Sequence, residues 1–199
     1  PGVLPEGANI THGQATISQN ANVMNLYQTS DKLITNWDSF NIGEQATVNF
    51  YQPNTYSAAL NRVVENNPSQ ILGKLNSNGH VYLVNPSGIL FGKNAQVDVG
   101  GLIASTLDLS DQDFINGQLK FKSMGFGDAD IQNLGHIAAK GGVIALISRR
   151  VRNAGTLQAD AGQVAMAAGD QVSLDFNGDG LMKVTVEQGV LDALAENGG

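Results

Sequence analysis

Hydrophobic and polar residues alternate over short runs along most of this chain, and the runs break at glycine or asparagine. Val143, Ala145 and Ile147 form one such run, and Val97 and Val99 belong to another. Alternation with a period of two is typical of a β-strand that has one buried face. The 24 glycines among 199 residues favour frequent tight turns. The pattern therefore predicts many short strands joined by turns.

The strand pattern repeats at a spacing of 20 to 22 residues. Residues 133–139 align with residues 153–159, where Asn, Gly and Ala occupy the same places, and residues 79–83 align more loosely with residues 101–105. Such a period suits one coil of a β-solenoid or one leucine-rich repeat. The inward positions vary among Val, Ile, Leu, Met and Ala, so we favour the solenoid. Coils stacked at about 4.8 Å bury one continuous core, and the chain length predicts about nine of them.

All 199 residues are expected to form a single domain with distinct parts. Exposed strand edges at the end of a solenoid recruit other chains, so we expect the less regular residues 1–35 to form an N-terminal cap. Residues 36–170 are expected to form the coils, with an excursion at 108–128, where the repeat is lost, as an extra hairpin or loop. The pattern at residues 171–187 predicts a hairpin, and the pattern at residues 190–196 predicts one or two helical turns.

The charge and composition of the chain argue against several classes of partner. Its 11 Lys and Arg residues are outnumbered by 18 Asp and Glu residues, which gives a net charge of −7. Nucleic acids and anionic membranes both require a basic face, so neither is expected to bind. The absence of cysteine excludes disulfides and suits a chain that crosses an outer membrane unfolded. No apolar run is long enough for a spanning helix. If the chain is exported, we expect its leader to have been removed or to be omitted from this sequence.

Residues 34–43 read Ile-Thr-Asn-Trp-Asp-Ser-Phe-Asn-Ile-Gly and contain Trp37 and Phe40. This segment resembles a motif of two-partner secretion domains. That family includes filamentous haemagglutinins, secreted haemolysins, high-molecular-weight adhesins and contact-dependent inhibition toxins. The resemblance covers most of residues 7–175 and continues, in the family's order, through residues 48–53, residues 59–63 with Asn61 and Arg62, and residues 69–75, 79–92 and 102–106.

The family carries an Asn-Pro-Asn-Gly-Ile motif associated with secretion, and the matching residues here are Asn85, Pro86, Ser87, Gly88 and Ile89. Ser stands at the third place, and since Ser and Asn both stabilise turns, we expect the turn to be kept. Asn85 is expected to bond to the backbone two residues on. The string Asn67-Pro68-Ser69-Gln70 is the nearest to a second family motif, Asn-Pro-Asn-Leu, but it aligns differently and receives no role.

The resemblance implies an all-β, right-handed parallel β-helix with an N-terminal β cap and extra-helical hairpins. It also implies a non-enzymatic secretion-signal and folding-nucleation domain that needs no cofactor or metal. The implied partner is a cognate outer-membrane β-barrel transporter with periplasmic polypeptide-transport-associated (POTRA) domains. We expect a monomer that is exported through the periplasm and secreted or held at the surface of a Gram-negative bacterium. The full-length protein is expected to be an adhesin or haemagglutinin with roles in virulence and biofilm formation.

Two other functions stay open on the sequence. The domain itself could bind host or matrix glycans through an aromatic surface, for which the candidates are Tyr27, Trp37, Phe40, Phe50, Tyr51 and Tyr56. Of these, Trp37 and Phe40 are expected instead to fill the core near the cap. A β-solenoid could also cleave polysaccharide, which requires carboxylates beside a basic residue. The candidates are Asp108, Asp111, Asp113, Asp128 and Asp130, with Arg149, Arg150 and Arg152. Solvated charges explain these residues without catalysis, so we predict that the chain is not an enzyme.

Residues 175–180, Asp-Phe-Asn-Gly-Asp-Gly, match the opening of an EF-hand calcium loop. That loop needs a bidentate Glu at its twelfth position, which is Val186 here, one residue before Glu187. A hairpin turn between two strands explains the segment better. The three histidines of the chain are too widely spaced to indicate a metal site.

We expect millimolar calcium to leave the melting temperature of the domain unchanged, because the bidentate twelfth ligand is missing. Scanning calorimetry with and without calcium measures this directly. Asp179→Ala is the control variant, and it should melt alike in both buffers. A rise in melting temperature that calcium causes and Asp179→Ala abolishes would show instead that residues 175–180 bind the ion.

Overall fold

The computed structural model describes residues 3–125, 128–176, 182–189 and 193–198. Within these residues the chain forms 23 β-strands and one short helix. The predominance of strands agrees with the alternating sequence pattern. No helix in this part of the chain is long and apolar enough to span a bilayer.

The elements follow one another as short segments. The first half of the chain contains β1 (Asn9–His12), β2 (Ala15–Asn20), β3 (Val23–Gln28), β4 (Lys32–Trp37), β5 (Thr47–Tyr51), β6 (Ala58–Val63), β7 (Ser69–Ile71), β8 (Lys74–Ser77), β9 (His80–Val84), β10 (Ile89–Phe91) and β11 (Gln96–Val99). The second half contains β12 (Gly101–Ser105), β13 (Asp108–Leu109), α1 (Asp111–Ile115), β14 (Leu119–Lys122), β15 (Asp130–Asn133), β16 (His136–Lys140), β17 (Val143–Ser148), β18 (Arg150–Asn153), β19 (Thr156–Asp160), β20 (Gln163–Ala168), β21 (Gln171–Phe176), β22 (Met182–Gln188) and β23 (Leu194–Asn197).

Three sheets form the walls of the molecule. The first wall has the strand order β19-β16-β11-β8-β5-β3-β2, the second wall β1-β4-β6-β9-β12-β17-β20, and the third wall β23-β18-β15-β10-β7. Each coil passes through the first, second and third walls in turn, and successive coils pair in parallel. This arrangement confirms the right-handed parallel β-helix that the sequence predicts.

Antiparallel strands close the N-terminal end of the helix. β1 pairs with β4 and β2 pairs with β3 in antiparallel fashion, whereas β3 on β5 and β4 on β6 are already parallel. Parallel stacking therefore begins at Val23 and Lys32, inside the segment 1–35. The antiparallel strands occupy the backbone edges of the first coil, which would otherwise pair with other chains.

Two expectations about the C-terminal part and the coil number are wrong. Residues 194–197 form a strand that pairs in parallel with β18, where the sequence predicted helical turns; residues 190–192 lie outside the described residues. Backbone pairing along β18 outweighs the helical preference of so short a segment. Among the described residues the longest walls have seven strands rather than nine, because the cap and two excursions use residues without adding coils.

Both excursions leave the helix at the corner between the second and third walls. The first follows β12 and contains β13, α1 and β14, and the second follows β20 and contains β21 and β22. The two join in one antiparallel sheet of order β13-β14-β21-β22, which we call the outer sheet. The sequence indicated an extra hairpin or loop at 108–128 and a hairpin at 171–187, but not the pairing of β14 with β21.

The outer sheet packs on the second wall and creates a second hydrophobic core. Ile103 and Ile147 of the second wall belong to one buried cluster with Phe121 of the outer sheet. Leu102 and Leu146, the neighbours of those isoleucines, belong instead to the core inside the helix. A sheet that is buried on both faces is continuously apolar. Residues 143–148 are accordingly all buried, so the single buried face that the sequence pattern indicated at Val143, Ala145 and Ile147 is wrong.

Phe121→Ala is expected to lower the free energy of unfolding by about 3–5 kcal/mol, since it leaves a cavity against the second wall. Phe176→Ala, in the same outer sheet, is the matched control and should cost less than about 1 kcal/mol, because Phe176 is 43% exposed. Urea denaturation followed by circular dichroism measures both. Equal losses for the two variants would contradict a second core beneath the outer sheet.

Candidate functional site

The turn at residues 85–88 connects β9 of the second wall to β10 of the third wall. The Gly88 N–H donates to the Asn85 carbonyl at 3.1 Å, which closes the turn. Gly88 has φ = +118°, a conformation that L side chains rarely adopt. Pro86 holds the second place, where its fixed φ suits a turn, and Ile89 is buried in β10. Backbone geometry thus accounts for the proline and the glycine of the motif.

The side chain of Asn85 is fully buried and makes three hydrogen bonds. Its Oδ1 accepts from the Ser87 N–H at 2.9 Å, which is the local bond expected from the sequence. Its Nδ2 donates to the Asn67 carbonyl at 2.7 Å and to Ser69 Oγ at 2.9 Å. Asn67 and Ser69 belong to the preceding coil at the same corner. Asn85 therefore ties two coils together and also closes its own turn.

The partnership of Asn85 with the preceding coil is not predicted from the sequence. The available signal was the string Asn-Pro-Ser, which occurs at residues 67–69 and again at residues 85–87, 18 residues apart. The two strings do not occupy equivalent places in their coils, because Ser69 pairs in register with Ile89. A simple repeat alignment therefore does not show which residues meet.

Pro86 and Ser87 are the part of the motif that reaches the surface. Both are half-buried, and Ser87 Oγ donates to Asn66 Oδ1 at 2.8 Å. They line a groove of about 460 Å³ together with Asn66, Pro68, Met124, Asp128 and Ala129. Met124 lies in the first excursion and is 54% exposed. A partner that contacts the folded motif meets Pro86, Ser87 and this groove.

Trp37, Phe40 and Asn61 lie in the core of the first coils. Trp37 and Phe40 fill the core as expected, packed edge to face with ring centroids 5.5 Å apart. Trp37 Nε1 donates to Asn61 Oδ1 at 3.0 Å, and Asn61 Nδ2 donates to the Tyr82 carbonyl at 3.2 Å. The buried indole and amide are thereby satisfied, and the contacts join β4, β6 and β9 of the second wall.

Arg62 follows Asn61 along β6 and binds the first excursion. It forms ion pairs with Asp108 at 3.0 Å and Asp111 at 2.7 Å, and it donates to the Leu109 carbonyl. Burial disfavours the charge of the guanidinium, but the two carboxylates outweigh burial, so the pKa of Arg62 is raised. Arg62 therefore clamps the start of the excursion onto the second wall.

Four of the eight residues considered for a polysaccharide-cleaving site form ion pairs at separate places. Asp108 and Asp111 belong to the Arg62 clamp. Arg149 pairs with Asp170 at 2.9 Å, and Arg152 lies 3.8 Å from Glu196. Asp130 lies beside Arg150 in the register of the third wall. Among the residues that the structure describes, no group of three or more His, Asp or Glu side chains could hold a metal ion.

Residues 177–180 of the calcium-like segment lie outside the described residues. On either side of them, β21 ends at Phe176 and β22 starts at Met182, and the two strands pair in antiparallel fashion. Glu187 accepts a hydrogen bond from Gln171 Nε2 at 2.7 Å. The flanking strands are those of a hairpin rather than the helices that border an EF-hand loop.

Comparison with known protein families shows which family this chain belongs to. A family model described as "TPS secretion domain" matches residues 2–199. The chain belongs to the TPS secretion domain family. Two curated relatives, both from Haemophilus influenzae and both named "Heme/hemopexin-binding protein", are 34% identical over 98% of this chain and 44% identical over 53% of it. The chain spans only 22% and 12% of the lengths of these relatives.

Two solved structures share the fold of this TPS domain. The HMW1 secretion domain from Haemophilus influenzae has a TM-score of 0.89 and 31% identity, with 96% of this chain and 52% of that chain covered. The filamentous hemagglutinin secretion domain has a TM-score of 0.65 and 16% identity, with 98% and 74% covered, and this likeness concerns the fold alone. TPS secretion domains are non-enzymatic parts of exoproteins that Gram-negative bacteria export, and cognate outer-membrane transporters recognise them.

Arg62→Met is expected to lower the free energy of unfolding by about 1–3 kcal/mol, since it leaves two carboxylates of the clamp without their cation. Arg152→Met is the control, because Arg152 and Glu196 are 3.8 Å apart and both mostly exposed, and such a pair contributes less than about 1 kcal/mol. Hydrogen exchange should report faster opening at residues 108–122 in Arg62→Met alone. Unchanged exchange there would contradict the clamp.

Proposed function

We propose that this TPS domain is the secretion signal and the folding nucleus of a large exported exoprotein. In this proposal, POTRA domains of a cognate outer-membrane β-barrel transporter recognise the domain in the periplasm, and residues 85–89 are part of what they recognise. In this proposal the corner that contains the Asn85 turn is already formed when the transporter binds it. The chain then crosses the outer membrane, and the complete β-helix forms outside the cell as a monomer. The main support is the contrast within the motif between the buried Asn85 and the accessible Pro86 and Ser87.

This contrast fits a motif whose conformation is fixed by the domain and whose surface is contacted by the transporter. Asn85 fixes the turn by three hydrogen bonds, two of them to the preceding coil, so the direction of Pro86 and Ser87 is set by packing rather than by the loop alone. The adjoining groove adds Met124, a flexible apolar side chain that adapts to a partner's surface. Binding at this corner would also depend on whether the preceding coil has formed.

The C-terminal end of the helix supports the role in folding nucleation. Within the described residues, β19, β20 and β23 are the last strands of their walls, and an open strand edge is a template for a further strand. Asn133 Nδ2 donates to Asn153 Oδ1 at 2.9 Å, and Asn153 Nδ2 donates to Asn197 Oδ1 at 2.8 Å. A following coil with an asparagine at this place would extend both the walls and this ladder.

For the full-length exoprotein we favour binding of haem or of a haem carrier, with secretion or display at the cell surface. The resemblance found in the sequence implied an adhesin or haemagglutinin, whereas the two curated relatives are named for heme and hemopexin binding. One of them matches 98% of this chain at 34% identity. Adhesion, with a part in virulence and biofilm formation, is the second candidate.

The test compares Asn85→Ala with Asn133→Ala in a longer exoprotein expressed with its cognate transporter. Both asparagines are fully buried, both accept from the N–H two residues on, and both donate Nδ2 to an adjacent coil. In the purified domain each variant should lose about 2–3 kcal/mol of stability, the scale of two or three net hydrogen bonds. Only Asn85→Ala is expected to lose most of its secretion, with the chain retained or degraded in the periplasm.

Two outcomes would count against the signal role of the motif. Normal secretion of Asn85→Ala would refute it outright. Equal loss of secretion in Asn85→Ala and Asn133→Ala would show that the turn matters for folding alone, because the two variants remove similar bonds at different corners.

A further inference from the structure

Two stacked tyrosines stand exposed on the outer face of the first wall. Tyr27 of β3 and Tyr51 of β5 are opposite each other in the parallel register. Their ring centroids are 5.2 Å apart and the rings are 12° from parallel. The two side chains are 45% and 50% exposed. Stacking on Tyr27 covers one face of the Tyr51 ring and leaves the other face free. Tyr51 also lines a groove that extends toward the later coils.

A ladder of asparagine amides runs beside the tyrosines. Asn49 Nδ2 donates to Asn25 Oδ1 at 3.0 Å, and Asn76 Nδ2 donates to Asn49 Oδ1 at 3.0 Å. On the next strand the register brings Asp98, which is exposed, alongside Asn76. The line of amides and the carboxylate offers both hydrogen-bond donors and acceptors along one face of the wall.

Of these residues, Tyr51, Asn49, Asn76 and Asp98 line a groove of about 530 Å³ that reaches from Tyr51 to Lys140. Gly100 also lines the groove. A Cβ at this position would lie 2.7 Å from the Asn78 carbonyl oxygen of the preceding coil, so coil stacking requires the glycine. The strands that carry Tyr51 and Lys140 are three strand spacings apart, about 14 Å. The charged groups of the lining are one carboxylate, Asp98, and one ammonium, Lys140, so the groove has no net charge.

We propose that this groove binds an uncharged oligosaccharide built from pyranose rings. The free face of an aromatic ring packs against the apolar C–H face of a sugar, and the amides and Asp98 fix the hydroxyl groups and so orient the ligand. A polyanionic glycan finds no excess of cations in this groove, where Lys140 only balances Asp98, and the net charge of −7 disfavours it further. The groove lies on the first wall, away from the Asn85 turn, so the proposal is independent of the secretion role.

Coil stacking by itself does not account for this combination. The ladder of Asn133 and Asn153 also joins successive coils, but its members are buried. The ladder of Asn25, Asn49 and Asn76 is partly exposed and lies next to an aromatic platform and an open groove. Of the aromatic candidates for sugar stacking, Tyr27, Tyr51 and Tyr56 are exposed. Phe50, like Trp37 and Phe40, is buried and is excluded. The first wall adds the polar groups that such a site requires.

Titration calorimetry of the 199-residue chain with cellotetraose, maltotetraose and chitotetraose tests the proposal, with tetragalacturonate as the acidic probe. At least one uncharged tetrasaccharide should bind, and tetragalacturonate should bind more weakly. Tyr51→Ala is expected to weaken binding about tenfold, while Tyr51→Phe, which keeps the ring, should stay within about threefold. Tyr56→Ala is the control, since Tyr56 is 86% exposed and is not part of the groove lining; its affinity should not change.

Three results would overturn the proposal. They are no binding of any uncharged tetrasaccharide to the unmodified chain, tighter binding of tetragalacturonate than of all three, or equal affinity of Tyr51→Ala and Tyr56→Ala. Circular dichroism melts of each variant show that a lost affinity is not a lost fold. The secretion assay on Asn85→Ala tests the secretion proposal independently of this one, because Asn85 does not line this groove.

Discussion

Parallel backbone pairing between coils is the constraint on which the rest of this structure depends. A strand keeps its partners above and below only if every coil follows the same path, so the walls tolerate little variation in length. Extra residues therefore collect at corners. The corner between the second and third walls receives both excursions, the Asn85–Gly88 turn and the loop at residues 64–68. The candidate site lies where the fold allows variation without breaking the walls.

Buried polar side chains repeatedly secure this corner and the wall that leads to it. Asn85 joins its turn to the coil before, Asn61 satisfies the indole of Trp37, and Arg62 holds the first excursion. Each of these side chains would be costly to bury without its partner. Their arrangement explains why residues that the sequence groups as family motifs lie near one another although they are far apart in the chain.

Much of the fold was predictable from the sequence because alternation and a 20-residue repeat are local signals. The solenoid, the irregular N-terminal segment and the departure near residue 108 all follow from them. The pairing of β14 with β21 was not predictable, since nothing local encodes which strand meets which. The strand at residues 194–197 was missed for a related reason, because its conformation is imposed by β18. At the site, the turn of Asn85 was predicted, but its bonds to Asn67 and Ser69 depend on how two corners align.

The outer sheet also sets an order of events if the chain becomes available for folding from its N-terminus onward. β14 ends at Lys122, and its partner β21 begins only at Gln171, after the strands of two further coils. Until that partner arrives, one edge of β14 stays open and part of the apolar flank of the second wall is uncovered. The domain can therefore be completed only when the chain is long enough to include β21. A chain that ends before residue 171 forms walls but lacks two of the four strands of the outer sheet.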